Sequence, residues 1–466
     1  MISKPEILLL ACYEMGHQPL SLAWPAAVLG EAGHAVRAVD LSVEAFPHES
    51  AAAAQLVGIA APMHTALRLG LRAAKEVRAL NPTAHIAFYG LYAWLNADYL
   101  LSTVADSVIA GEYEEPLVNL ANALAATEPG AGFTAIPGVS TRDHREMPHL
   151  ARLSLPTPDR RELPALTNYA RYLENERYSL SGYVEASRGC LHTCAHCPVV
   201  PVYGGRFFVV PVETVMADIR TQVAAGAEHI TFGDPDFLNG PGHSLKLARA
   251  LHAEFPHLTF DFTTKVEHVL KHRAMMPEMR ALGASFVVSA FEAVSDDILQ
   301  RLHKGHTRAD MDEALKILEA ARLPVQPTWL PFTPWTSLDD YLDMLAWIRA
   351  RDIIAHVPAV QLSIRLLIPP NSAVLADTPP GSLGELSPSD FNYAWKHPDP
   401  RMDELQARVT IIAEGASSEN PHVAFAAIEQ LAYSMANRSA PVRHSLARPA
   451  GRLRPTPPRL TEDWFC

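Results

Sequence analysis

Cysteine is scarce in this chain, with five in 466 residues, and that count excludes a disulfide framework. Three of the five crowd into "EASRGCLHTCAHCPVV" (185–200) as Cys190, Cys194 and Cys197. Such clustering fits a reducing compartment, the cytoplasm, and a metal site. Positive charge is also short: 39 Lys and Arg stand against 51 Asp and Glu, a net charge of −12. That balance argues against a nucleic-acid partner, which leaves a basic domain or stripe. Long apolar runs are missing too, and none reaches the ~20 residues of a membrane span. The best candidate, "AVQLSIRLLIPP", is cut by Arg365 and two prolines. The N-terminus lacks a basic n-region and a small-residue cleavage site, so "EILLLAC" reads as a first buried strand. What is present is a 48% hydrophobic, 19% charged composition that can bury sizeable cores, at a length suggesting two or three domains.

Residues 1–125 alternate apolar runs ("EILLLAC", "HAVRAVDL", "LVGIAA", "HIAFYG", "SVIAGE") with amphipathic stretches such as 66–79. Strands alternating with helices predict a parallel sheet covered on both faces, a Rossmann-like domain. Residues 126–182 are rich in Pro, Arg and Glu and read as a linker. From 183 to 378 strands are expected at 183–187, 229–233, 259–263, 285–291, 325–330 and 360–367, with helices between them. Six βα steps predict an incomplete (β/α)6 barrel with its chemistry at the strand C-termini. Residues 379–437 read as a mainly helical region, and 438–466 as a flexible Pro/Arg-rich tail.

The cysteines follow C-x3-C-x2-C. Thiolates hold iron–sulfur clusters, and three of them leave one iron of a cubane open to another ligand. Zinc is the alternative, with His192 or His196 as fourth ligand, although structural zinc sites pair two such units and no second unit is present.

This motif, on the loop after the first strand of a six-step βα domain, resembles the radical S-adenosylmethionine (radical SAM) superfamily. The resemblance implies that Cys190, Cys194 and Cys197 ligate a 4Fe–4S cluster and that SAM takes the fourth iron. It also implies an electron donor such as flavodoxin or ferredoxin, and a small-molecule substrate. By position in the family's motifs, His196 touches the adenine, while Gly233 and Asp234 in "FGDPDF" lie near the SAM amino group. "SAFEAVSDDILQRLHKGHT" (289–307) places Ser289, Glu292 and Lys304 beside SAM.

The first domain is similar to cobalamin-binding domains in "LVGIAAPMHTALRLGLRAAKEVRALNP" and "VIAGEYEEPLVNL". It departs from them in "ACYEMGHQP", where His17 lacks the preceding Asp, and in Tyr89-Gly90-Leu91 where a double glycine is usual. Cobalamin is accordingly the disfavoured cofactor. The tail "TEDWFC" is similar to a radical SAM family ending in Cys-Sec-Ala-Glu-Pro or Cys-Cys-Ala-Glu-Pro. A relative of that group is the arsinothricin-biosynthesis enzyme. This implies transfer of a 3-amino-3-carboxypropyl group from SAM to arsenic, a catalytic role for Cys466, and a UGA codon after it. Two alternatives stay open: a cobalamin-dependent methyltransferase, and a corrinoid or redox-sensing binding protein.

Overall fold

The computed structural model describes residues 6–126, 135–415, 420–441 and 457–462. Its first sheet holds β1 (Glu6–Ala11), β2 (Ala35–Asp40), β3 (Leu56–Ala60), β4 (His85–Tyr89), β5 (Ser107–Ile109) and β6 (Val139–Ser140). Their order is β2-β1-β3-β4-β5-β6, parallel except for β6. β1 is apolar at consecutive positions because both faces are covered. Ile7 and Leu9 pack with helices Leu20–Glu31 and Glu114–Ala126, whereas Leu8 and Leu10 pack with helix His64–Leu80 on the other side.

The second sheet has the order β14-β13-β12-β11-β8-β7-β17, with β7 at Arg171–Glu174 and β17 at Arg459–Leu460. Five of its strands are parallel: β8 (Arg177–Val184), β11 (His229–Phe232), β12 (Thr259–Thr264), β13 (Ala284–Glu292) and β14 (Val325–Trp329). Helices Val212–Ala224, Pro241–Glu254, Arg308–Ala320 and Leu338–Ala350 follow the expected βα rhythm. This is the incomplete barrel that the sequence predicts, with three differences.

The first strand starts earlier than 183, because 171–184 form a hairpin of β7 (Arg171–Glu174) with β8. Asn175 and Glu176 turn it with φ of 48° and 65°, the paired positive values that match strand twist in a two-residue loop. The sixth strand, expected at 360–367, is reduced to one bridge between Phe332 and Arg365 after a 3-10 turn at Ala359–Leu362. There the side-chain carbonyl of Gln361 accepts the Trp329 N–H at 2.9 Å, replacing a ladder bond. Arg365 turns away over the Trp395 ring and pairs with Asp403 at 2.8 Å.

The third difference lies in the tail. Part of it is a strand, β17 (Arg459–Leu460), antiparallel to β7. Leu460 packs against Tyr172, Phe286 and Val288, and Gln326 donates to the Pro458 carbonyl at 2.7 Å. Helices Pro400–Gly415 and Pro421–Met435 form the expected C-terminal region. Between barrel and helices, β15 (Leu383–Ser387) and β16 (Asn392–Trp395) make a hairpin whose tip residue Phe391 is buried against the first domain. No helix among the described residues is long and apolar enough to cross a membrane.

Candidate functional site

The three cysteines lie on one loop beyond the C-terminal end of β8. β9 (Ser187–Gly189) pairs there with β10 (Phe207–Val209). Gly189, at φ +74°, leads into Cys190, and a Cβ on it would overlap the Arg206 carbonyl and the Tyr203 ring. The far side of the loop is fixed by Ala195 N–H donating to the Leu302 carbonyl at 3.0 Å. Cys190 and Cys194 are buried and Cys197 half-buried, and none is in a disulfide. Burial pushes the Cys190 thiol up and Cys197 to about 12, with the neighbouring thiols adding to both and Lys304 opposing at Cys197. Protonated thiols must lose their protons to bind metal, so metal binding here is coupled to proton release. Three cysteines on one loop, near enough to raise one another's thiols, are a fitting donor set for an iron–sulfur cluster.

Beside them lies a buried ion pair. Glu292 ends β13 at φ +65°, and Lys304 donates to its Oε1 at 3.1 Å. Lys304 is 3% exposed and the His196 Nε2 stands 3.7 Å from the same oxygen. Burial alone would raise Glu292; the Lys304 ammonium and His196 outweigh it and hold the carboxyl at about 2. Lys304 also lies within electrostatic reach of Cys194 and Cys197. Ser289, three residues earlier on β13, is fully buried and its hydroxyl has no hydrogen-bond partner.

Structure and motif reading part company at Gly233 and Asp234. The Tyr183 ring lies directly on Gly233, leaving no space even for a Cβ. Asp234 faces the cysteine loop rather than an open site, accepting from Ala186 N–H at 3.0 Å and from the Ser187 hydroxyl. Its carboxyl, pushed up by burial to about 7, braces the backbone entering the loop. Cys466 lies outside the described residues.

Sequence reasoning missed a charge cluster where the two sheets meet. Arg188, two residues before Cys190, reaches Glu114 at 2.7 Å, Glu185 at 3.0 Å and Glu112 at 3.3 Å, and lies over the rings of Trp24 and Tyr113. Three carboxylates about one guanidinium cannot all ionise cheaply in a dry site. Burial pushes Glu114 up to about 7 and raises Glu185 as well. A second tie, Arg160, forks onto Asp218 at 2.7 and 2.9 Å and also bonds Gln18 and the Tyr183 carbonyl. The available signal was the acidic run "GEYEEP" opposite an Arg beside the cysteines.

These contacts bear on cobalamin. His17 is buried and stacks on Tyr183 at 4.3 Å, in place of facing a ligand above its own sheet. Burial lowers it to about 4, so it is neutral. The Tyr89 ring fills the space beside Gly58 and its hydroxyl donates to the Ser21 carbonyl at 2.7 Å. Ala61 and Gly90 are pressed together at the ends of β3 and β4, and His64 bonds the Asp390 carbonyl of the β15–β16 hairpin at 2.7 Å. Tyr89, Gly90 and His64 stand at the carboxyl ends of the first sheet, where a ligand of such a fold sits.

Residues 184–348 match the family model described as the Radical SAM superfamily. A curated protein of Methanocaldococcus jannaschii, assigned as a methylthiotransferase, is 25% identical over 184 residues, covering 36% of this chain and 39% of its own length. Two solved structures share the fold. One is TsrM of Kitasatospora setae with cobalamin and a [4Fe-4S] cluster bound, at TM-score 0.66 and 14% identity, covering 96% of this chain and 93% of that one. The other is OxsB with aqua-cobalamin and S-adenosylmethionine bound, at TM-score 0.68 and 14% identity, covering 89% and 67%.

Proposed function

On the premise that residues 184–348 form a radical SAM domain, we propose that this protein is a transferase that cleaves SAM reductively and directs the radical onto a small molecule, without cobalamin. The observation that carries the proposal is the placing of Cys190, Cys194 and Cys197 on one loop beside the buried Glu292–Lys304 pair. The three cysteines hold the cluster, which when bound supplies one-electron reduction of the SAM sulfonium.

The chain's own residues do the rest. Lys304 keeps a fixed positive charge near the Cys197 thiol and favours its ionised form. Glu292 stays ionised at ordinary pH, so it accepts hydrogen bonds from SAM and does not donate them. The Ser289 hydroxyl is buried without a partner on the same strand, and the His196 ring stands 3.7 Å from the Glu292 carboxylate. Arg160 and Arg188 hold the first domain against the second sheet through Gln18, Asp218, Glu112 and Glu114.

Cobalamin-dependent methyl transfer, the chemistry of some fold neighbours, is opposed by the Tyr89, His17 and Phe391 contacts. Aminocarboxypropyl transfer to arsenic rests on the tail resemblance alone. The test is to rebuild the cluster anaerobically, reduce it with SAM present, and identify the fragments by mass spectrometry. 5′-Deoxyadenosine or methylthioadenosine supports the reading and tells which bond breaks. S-Adenosylhomocysteine as the main product, dependent on added cobalamin, would replace it with the methyltransferase.

A further inference from the structure

A second donor cluster lies beside the cysteine loop and plays no part in the chemistry above. His192 sits between Cys190 and Cys194, Asp236 follows β11, and His268 lies in helix Val266–Lys271 after β12. The Asp236 Oδ2 is 3.0 Å from His268 Nδ1 and 3.7 Å from His192 Nε2, and the three atoms all fall within 4.8 Å of one another. Both ring nitrogens are shielded from solvent and make no hydrogen bond, although a carboxylate oxygen is close by. The side chains are 6% exposed at His268 and 1% at Asp236. Buried ring nitrogens are ordinarily satisfied, and two that face one carboxylate oxygen can share a partner.

A metal ion is such a partner. Zinc binds histidine nitrogen and carboxylate oxygen at about 2.0–2.2 Å. Ligand atoms 3.0 and 3.7 Å apart then subtend about 95° and about 130° at the ion, values that straddle the tetrahedral angle. The carboxylate is already aimed: Oδ1 accepts from Leu238 N–H at 3.0 Å and from the Thr264 hydroxyl at 2.9 Å, and Oδ2 from Lys265 N–H at 3.2 Å. The outer partners are also present. Glu267 Oε2 lies 3.8 Å from His192 Nδ1 and 3.4 Å from the Lys265 ammonium, which itself stands 3.1 Å from that Nδ1. With an ion on Nε2, the Nδ1–H turns to Glu267 and the ammonium follows, the carboxylate–histidine–metal arrangement of many protein sites.

We propose that His192, Asp236 and His268 form a mononuclear site for a first-row divalent cation, zinc for preference, with a fourth position left for water. Two imidazoles and one carboxylate suit these ions and not calcium or magnesium. The ion joins the cysteine loop to the ends of β11 and β12, fixing the segment between Cys190 and Cys194. It is separate from the three sulfurs, and it stands whether or not SAM is cleaved.

The test uses the full chain with its cluster rebuilt, equilibrated with micromolar free zinc and desalted, with iron and zinc counted by mass spectrometry. The expected result is one zinc per chain in addition to the cluster iron. His268→Gln lowers zinc affinity at least about tenfold with iron content and the circular dichroism spectrum unchanged, whereas His272→Gln, next to His268 but outside the donor set, leaves zinc in place. Wild-type protein with no bound zinc would overturn the site. So would zinc equally retained in His268→Gln, or zinc that rises only as iron falls, which would put it on the cysteines. Loss of iron and of SAM cleavage with zinc retained would sink the enzyme reading and leave this site intact.

Discussion

Glu292 and Lys304 show how much a single buried pair decides. A lone carboxylate at this depth would titrate upwards, yet the ammonium and His196 hold it at about 2. Removing one partner leaves the other charge unpaired, a loss of about 3–5 kcal/mol. Lys304→Met is therefore expected to lower stability by that order in denaturant titration and to slow cluster assembly, while Glu292→Gln with Lys304 intact costs less. The pair also fixes a pH window. Because the folded value is depressed from 4.5, its stability is fully present above that value and is lost as pH falls towards about 2. Other carboxyls act in the opposite sense: Glu14 is raised by burial to about 8, Glu114 to about 7 and Asp234 to about 7. Each stabilises below its unfolded value and loses that contribution as pH rises through the folded one. The melting temperature should fall between pH 5 and 8, and Glu114→Gln should flatten that slope; a slope unchanged in the variant would show that Glu114 is ionised in the fold. At this scale the cysteines were legible because their spacing is local. The Arg188 cluster was not, since Glu112 and Glu114 join it only after folding brings the two sheets together.

Strands and helices were legible wherever one pattern of burial persisted. β1, β3 and β4 announce themselves as apolar runs because both faces are covered. The expected strand at 360–367 reads the same way, but hydrophobic pattern reports burial and not who holds the backbone N–H. Gln361 took the bond at Trp329. The tail misleads for the converse reason: its Pro/Arg composition speaks for disorder, yet among its described residues the short β17 docks on β7. If that docking matters, Leu460→Ala should lower stability by about 1–2 kcal/mol, on the order of one partly buried leucine, as measured by denaturant midpoint. Arg459→Ala, on an exposed side chain, should leave the midpoint unchanged. Equal effects from the two would mean that the strand contributes backbone pairing only.

At the scale of the whole molecule, Arg188 ties the cysteine loop to Glu112 and Glu114 of the first domain, and Arg160 ties Gln18 to Asp218. The fold neighbours TsrM and OxsB were solved with cobalamin bound. Protein expressed with added cobalamin should show no stoichiometric corrinoid absorption; stoichiometric bands would mean that Tyr89 and His17 move aside. The account stands or falls on the cysteine loop beside Glu292 and Lys304. Its most direct test is SAM turnover by the anaerobically rebuilt, chemically reduced protein, compared with Cys194→Ala. The account predicts reduction-dependent SAM fragments from the wild type and none from the variant. A wild-type protein holding a full cluster that leaves SAM intact, or fragments formed equally by Cys194→Ala, would contradict it.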